Sequence, residues 1–322
     1  MAHSRRKRNE TRRPPSYEAV GQFYDDIWGE LPRAWVAARS RLLAPVLSEV
    51  RRVCDLGCGS GDTAMDFARR GLKVFALDFS REMCRMTREK ARAEHLDVTV
   101  GRADMRTFRL PVPVDLITSE WGVINHLPRR ADLLRTFRSV ARALRPGGYF
   151  YFDLHQRKVY EEQWAGTDVG EGVTKDGGRP FFVIQRGGFD QGRGAGWTEI
   201  TVFVQKAGGL WERRGERVEE IFWPHREIAR DLRRAGFQLL GLFNFASSES
   251  APSPKKVAGA LRTMYLARKK GGYIFPMLGT CGTRAQEPEV KRGAGFATVS
   301  SFPSSQAGAL SSEKHATNRK RK

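Results

Sequence analysis

Val53-Cys54-Asp55-Leu56-Gly57-Cys58-Gly59-Ser60-Gly61-Asp62-Thr63-Ala64 is the most informative stretch of this chain. A short apolar run over 52–56 delivers Asp55 and ends in a loop where Gly57, Gly59 and Gly61 alternate. Glycine tolerates positive φ and lets backbone N–H groups approach a ligand closely. A helix expected over 62–70 follows, and helix N-termini favour electronegative ligand groups. Together these features point to a nucleotide-like cofactor at the strand tip, where open α/β sheets bind ligands. Spacing narrows the choice. A dinucleotide fingerprint reads G-x-G-x-x-G, whereas this run is G-x-G-x-G with an acid two residues ahead. Asp78 closes a second apolar run, 17 residues beyond Gly61, and is placed to accept both hydroxyls of a ribose. A carboxylate there repels a 2′-phosphate, which disfavours NADP.

The alternation of strands and helices extends on both sides of the loop. Ser80 is the expected N-cap of a helix reaching about residue 95. Runs at 97–100, 114–119 and 149–154 read as strands. A helix over 129–144 carries Leu133, Leu134, Phe137, Val140 and Leu144 at helical spacing, and Pro146-Gly147-Gly148 is expected to stop it. Such alternation implies a parallel sheet covered by helices on both faces. After residue 154 the pattern changes. Apolar runs at 181–184, 197–204 and 218–223, separated by Gly187-Gly188 and Gly208-Gly209, describe an antiparallel meander of three or four strands. A helix over 224–235, the breaker Gly236 and strands at 237–245 and 263–267 then resume the doubly wound pattern. The expected organisation is a basic tail (1–13), an α/β core (14–162), a β insertion (163–223), the end of the core (224–270) and a second basic tail (271–322).

These residues resemble the class I S-adenosylmethionine-dependent methyltransferases over roughly residues 15–270. Asp55-Leu-Gly-Cys-Gly-Ser-Gly is similar to motif I, which in that family wraps the methionine part of the cofactor. Asp78-Phe79-Ser80 resembles the second-strand motif, with Asp78 on the ribose and Phe79 beside the adenine, and Ser80-x-x-Met83 also recurs there. Ala103-Asp104-Met105 resembles the loop whose acid accepts from the adenine amino group. Val114-Asp115-Leu116-Ile117-Thr118-Ser119-Glu120 resembles motif IV, and Leu144-Arg145-Pro146-Gly147-Gly148 the turn before strand five. The resemblance implies a Rossmann-like seven-stranded sheet with its last strand antiparallel. It also implies S-adenosyl-L-methionine as cofactor, held by Tyr24, Asp55, Gly57, Gly59, Gly61, Asp78, Phe79, Met83, Asp104, Met105 and Ser119. Phe23-Tyr24-Asp25-Asp26-Ile27-Trp28 is similar to the family's N-terminal segment, which folds over the cofactor and brings Tyr24 to its carboxylate.

Motif IV discriminates between acceptors. Exocyclic-amine methyltransferases of nucleic acids carry (Asp/Asn)-Pro-Pro-(Tyr/Phe) there, and cytosine C5 enzymes carry Pro-Cys. This chain has Ser119-Glu120-Trp121-Gly122, then Val123-Ile124-Asn125-His126-Leu127, which resembles the small-molecule branch. The insertion after strand five resembles the sheet that covers the acceptor pocket in enzymes acting on amines and sugars. Expected acceptor-site residues are Glu120, Trp121, Asn125, Asp153 and His225, with His126 or His155 as a base. Asp153 and His155 end a strand, where ligand-facing residues are expected, and Glu120 is a candidate to attract a cationic amine. Transfer to N or O is expected by in-line displacement.

The chain has 322 residues and a formal charge of +20, with 56 Lys and Arg against 36 Asp and Glu. Its 40% hydrophobic content excludes a wholly disordered chain. Residues 1–13 and 271–322 each carry +5, so half the excess sits in two segments poor in core-forming residues. Basic tails can bind phosphate backbones, so nucleic acid is an expected partner only through them. RNA or protein methylation is the alternative activity, and cofactor binding without catalysis a second. No apolar run approaches a bilayer span, and no apolar region follows the basic N-terminus as in a secretory signal. Cys54, Cys58, Cys84 and Cys281 are too few and scattered for a disulfide scaffold, so a reducing cytoplasm is expected. No His/Cys spacing suits zinc, and no metal is expected.

Overall fold

The computed structural model describes residues 17–29, 33–244 and 261–271. Both expected tails lie outside these residues except for Gly271. Helices α1 (Tyr24–Trp28) and α2 (Arg33–Leu47) precede strand β1 (Arg52–Leu56). The alternation continues through α3 (Asp62–Arg69), β2 (Lys73–Asp78), α4 (Arg81–Ala93), β3 (Val98–Arg102), β4 (Val114–Ser119), α5 (Arg130–Ala143) and β5 (Leu144–His155). Four strands follow, β6 (Gly166–Val173), β7 (Pro180–Asp190), β8 (Ala195–Gln205) and β9 (Trp211–Ile221), and then α6 (His225–Arg234), β10 (Phe237–Asn244) and β11 (Arg262–Lys269). One sheet has the order β10-β11-β5-β4-β1-β2-β3, and the second is the meander β6-β7-β8-β9. Strand β11 runs antiparallel to both β5 and β10, and the remaining pairs of the large sheet are parallel. This is the expected Rossmann-like sheet with an antiparallel last strand and a β insertion.

The large sheet is buried on both faces, which is why its strands read as continuous apolar runs rather than alternating ones. Cys54, Leu56, Phe75 and Leu77 face one core with Leu133, Phe137 and Val140 of α5 and Ile228 and Leu232 of α6. The intervening Val53, Val74 and Ala76 face the other, against Trp35 and Leu43 of α2 and Ala64, Met65 and Phe67 of α3. The expected stop at Pro146 differs in detail. Helix α5 ends at Ala143, and the chain enters β5 directly at Leu144, which pairs with Val114. The register shifts between Val114 and Leu116, so Pro146-Gly147-Gly148 forms an irregular strand start instead of a loop.

A third core joins the insertion to the N-terminus. Phe181, Val183, Ile200, Val202, Val204 and Val218 enclose Val20 and Phe23. Polar contacts pin the same segment. The Glu216 carboxylate accepts from Ala19 N at 3.0 Å and from Tyr17 N, and the Glu18 carboxylate accepts from Ser80 Oγ at 2.6 Å and Arg81 N at 3.0 Å. Residues 17–28 therefore bridge the insertion and the first turn of α4. Among the described residues no helix is long and apolar enough to cross a membrane.

Candidate active site

The glycine loop takes its shape from three positive φ angles, 77° at Gly57, 54° at Gly59 and 97° at Gly61. A Cβ on Gly57 would lie 2.3 Å from Val123, and one on Gly61 2.8 Å from Thr87. At Gly59 an added Cβ meets nothing within 4 Å, so the loop's open side is there. Gly57 N and Cys58 N donate to Leu77 O at 2.7 and 3.0 Å, tying the loop to the end of β2. Asp78 is at that end. Its Oδ2 accepts from Gly59 N at 3.0 Å and its Oδ1 from Ser80 N at 2.8 Å. Burial raises the Asp78 carboxyl above its ordinary value, with these N–H groups opposing.

Asp55 is buried under the loop. Thr118 Oγ1 donates to its Oδ1 at 3.0 Å, while Oδ2 has no partner. Burial and the neighbouring Glu120 push its carboxyl up to about 7. Ser119 Oγ donates to Leu56 O at 2.8 Å and so joins the tips of β4 and β1. Phe79 is half-buried beneath the Arg102 guanidinium, 5.5 Å from its ring centre. Met83 is buried beside Gly21, and Met105 packs on the core. Tyr24 packs on Tyr17 and Trp28, with centroids 5.4 and 4.8 Å apart, and burial pushes its hydroxyl up to about 12. Asp104, expected at an adenine amino group, pairs with a neighbouring side chain. Arg106 reaches it at 2.6 Å, so any adenine contact shares that carboxylate.

Beyond β4, Trp121 and Gly122 both adopt left-handed backbone, with φ of 69° and 71°. A tryptophan there is strained and persists only because its surroundings hold it. Its ring packs on Trp35 at 4.9 Å, and the Arg262 guanidinium stands 4.6 Å over it.

Three expected acceptor-site groups already have partners within the chain. Glu120 Oε2 is 2.6 Å from Arg39 Nη1 and accepts from Thr63 Oγ1 at 2.7 Å, while its Oε1 has no partner. Asp153 Oδ2 pairs with Arg262 Nη1 at 3.0 Å. The Asn125 amide accepts from His155 N at 3.0 Å and donates to His155 O at 3.3 Å and Ile221 O at 2.8 Å, clamping β5 to β9. His225 sits elsewhere, on the first turn of α6 with its ring stacked on Tyr265 at 5.8 Å. Burial lowers its imidazole.

The two candidate bases meet at a residue that the sequence reading did not single out. Glu220 of β9 accepts from His155 Nδ1 at 2.6 Å and from Tyr160 Oη at 2.9 Å, and its Oε1 is 3.5 Å from His126 Nε2. The signal was present in Val218-Glu219-Glu220-Ile221. Glu220 shares its strand parity with the buried Val218, and a carboxylate on the apolar face of a strand needs a partner. The His126 ring also meets Tyr17 edge-on at 5.9 Å, which brings the N-terminal segment to the same point. Among the described residues no group of His, Cys, Asp and Glu is arranged to hold a metal.

With this geometry in place, comparison with known proteins is specific. Residues 53–148 match the family model described as a methyltransferase domain. YqeM of Bacillus subtilis (strain 168), named as a methyltransferase, is 25% identical over 236 residues, covering 69% of this chain and 87% of that protein. The dTDP-4-amino-2,3,4,6-tetradeoxy-D-glucose N,N-dimethyltransferase of Saccharopolyspora spinosa is 32% identical over 129 residues, 39% of this chain and 50% of its own length. The chain spans about half the length of several other curated relatives it matches. An S-adenosylmethionine-dependent methyltransferase from Clostridium acetobutylicum ATCC 824 has the same fold, with a TM-score of 0.63, 19% identity and coverage of 77% of this chain and 96% of that one. Residues 53–148 carry a methyltransferase domain, and the sheet order and glycine loop around them share the fold of an S-adenosylmethionine-dependent methyltransferase. Domain match and relatives together support an S-adenosylmethionine-dependent methyltransferase.

Proposed function

We propose that this enzyme methylates a nitrogen or oxygen of a small-molecule acceptor bound where the tips of β4 and β5 meet β9 and the N-terminal segment. The observation that carries this reading is the aromatic roof. Tyr17, Tyr24 and Trp28 pack on one another and reach His126, which favours a closed chamber over an open groove for a polymer. Relatives named for methylating an amino sugar and for O-methylation in ubiquinone biosynthesis support a small acceptor without fixing which one.

The residues fit the cofactor. The open side of Gly59 leaves room against the loop backbone, both Asp78 oxygens keep a lone pair for ribose hydroxyls, and Asp55 Oδ2, Glu120 Oε1 and Asp25 Oδ1 are buried acceptors without donors. Gly57, Gly59 and Gly61 would hold the methionine part, with Asp55 and Ser119 beneath and Tyr24 above. Phe79, Met83, Asp104 and Met105 would surround the adenine. When bound, S-adenosylmethionine supplies an electrophilic methyl group on a sulfonium. The protein's work is then to align the acceptor lone pair, exclude water and take up the acceptor's proton if it arrives protonated. His155 or His126 would receive that proton, and Trp121 with Arg262 would line the acceptor's other side.

Release of S-adenosylhomocysteine across a panel of amines, amino sugars and phenols tests the reading. Turnover of at least one small acceptor is expected. Turnover confined to RNA or protein would overturn it.

A further inference from the structure

Glu220 is 1% exposed, yet it sits on a strand of the insertion, outside the Rossmann-like core. Both of its oxygens are engaged by groups from elsewhere in the chain. Oε2 accepts from His155 Nδ1 at 2.6 Å and Tyr160 Oη at 2.9 Å, and Oε1 faces His126 Nε2 at 3.5 Å. His155 ends β5, His126 ends the short turn Val123–His126 after β4, and Tyr160 lies in the turn Val159–Gln163 after β5. The placement is enforced from three sides. Asn125 donates to Ile221 O, the residue next to Glu220, and exchanges two hydrogen bonds with the His155 backbone. Gly122 leaves space for the His155 ring, since a Cβ there would lie 2.8 Å from Nδ1. Gly196 does the same for Tyr160, whose ring an added Cβ would meet at 2.1 Å. Other charged or titratable groups around the cluster are Tyr17, Tyr24, Arg262, Asp153 and Asp78. Burial works against ionisation of Glu220, but His155, His126 and Tyr160 outweigh it and hold the carboxyl below its ordinary value.

We propose that Glu220 is the positioning residue for the base of this methyltransferase, so that the insertion completes the catalytic machinery as well as covering the acceptor. The proposal rests on the methyl-transfer reading above. A carboxylate on Nδ1 fixes the neutral His155 ring with its proton on Nδ1, leaving Nε2 as the basic nitrogen. As the acceptor lone pair forms its bond to the methyl carbon, the carbon–sulfur bonding pair stays on sulfur. The acceptor's N–H or O–H proton passes to Nε2 of His155, and the imidazolium charge is balanced by Glu220. His126 on the other carboxylate oxygen adds a second imidazole within the same field.

Two variants of the full chain test this, Glu220→Gln and Glu220→Leu, read by side-chain nitrogen NMR of His155, calorimetric affinity for S-adenosylmethionine, and the pH profile of turnover with an acceptor from the panel. Wild type is expected to show the Nδ1–H tautomer, and Glu220→Leu to lose it. Cofactor affinity should stay within about twofold while kcat falls about 10- to 100-fold or more, as for loss of a general base's support. The acid limb of the profile should move to lower pH in Glu220→Gln. An Nε2–H tautomer in wild type overturns the proposal, even if neither variant folds. So does a folded variant that loses kcat with its pH profile unmoved, the mark of a merely structural role. The tautomer and the cofactor affinity need no acceptor, so failure of the small-acceptor reading leaves them independently decisive.

Discussion

Asp55 shows how a single residue sets a pH response. Its carboxyl is 1% exposed, has one unpartnered oxygen and is pushed up to about 7 by burial and by Glu120. Between about pH 4 and about pH 7 the folded chain therefore holds a proton that the unfolded chain has released. Stability contributed at this position is greatest below that window and declines as pH rises through it. Asp55→Asn removes the slope, so the variant should gain on wild type by up to about 4 kcal/mol across the window, at 1.36 kcal/mol per pH unit. Urea denaturation at several pH values measures this, and a constant difference would show that Asp55 ionises normally. Asp78→Ala tests the ribose assignment. Loss of a charged hydrogen-bonding partner is worth roughly 1.5–3 kcal/mol, so calorimetry should show about 10- to 100-fold weaker cofactor binding. Undiminished affinity would remove Asp78 from the ribose. Residues of this kind were legible because glycine at Gly57 and Gly61, or a carboxylate closing β2, answers a local demand of the backbone. The partners of Glu120 and Asp153 were not legible, because Arg39 and Arg262 lie 81 and 109 residues away.

At the scale of elements, apolar runs located every strand of the large sheet, and helical spacing and capping signals located helices α3 to α6, because burial on one or both faces imprints itself on sequence. These signals missed the turn Val159–Gln163, a π-helix whose five residues carry no period. That turn matters because it aims Tyr160 at Glu220. Tyr160 is stacked on Phe189 at 5.8 Å and wedged over Gly196 of β8. Gly196→Ala would push a methyl group into the ring at 2.1 Å, and the ring is fully buried, so it must move away from Glu220. Overpacking of this kind costs about 1–3 kcal/mol. The variant should melt at lower temperature, retain cofactor affinity because the glycine loop is untouched, and lose turnover. Restored turnover in a Gly196→Ala, Tyr160→Ala double variant would mean that Tyr160 contributes packing alone.

For the whole molecule, the charge of +20 is the property most easily mistaken for a function. Half of it belongs to residues 1–13 and 271–322. Much of the arginine in the body is engaged locally. Arg85 bridges Glu82 and Glu89, Arg69 meets Glu94, and Arg217 meets Glu199 and Glu219. Exposed pairs of this sort contribute about 0–1 kcal/mol each and are screened by salt, so they neither hold the fold together nor leave an unbroken cationic surface. An enzyme gripping a phosphate backbone would lose affinity steeply with salt, by about 10³–10⁵ between about 50 and 200 mM for six to ten contacts. The small acceptor proposed above would instead depend on Trp121, Arg262 and the largely buried Glu220 cluster. Over that range, kcat/KM for a small acceptor should therefore change by no more than about threefold, in the full chain and in a chain lacking both tails alike. A steep logarithmic salt slope that disappears when the tails are removed would place the substrate on the tails, and the acceptor would then be a polyanion.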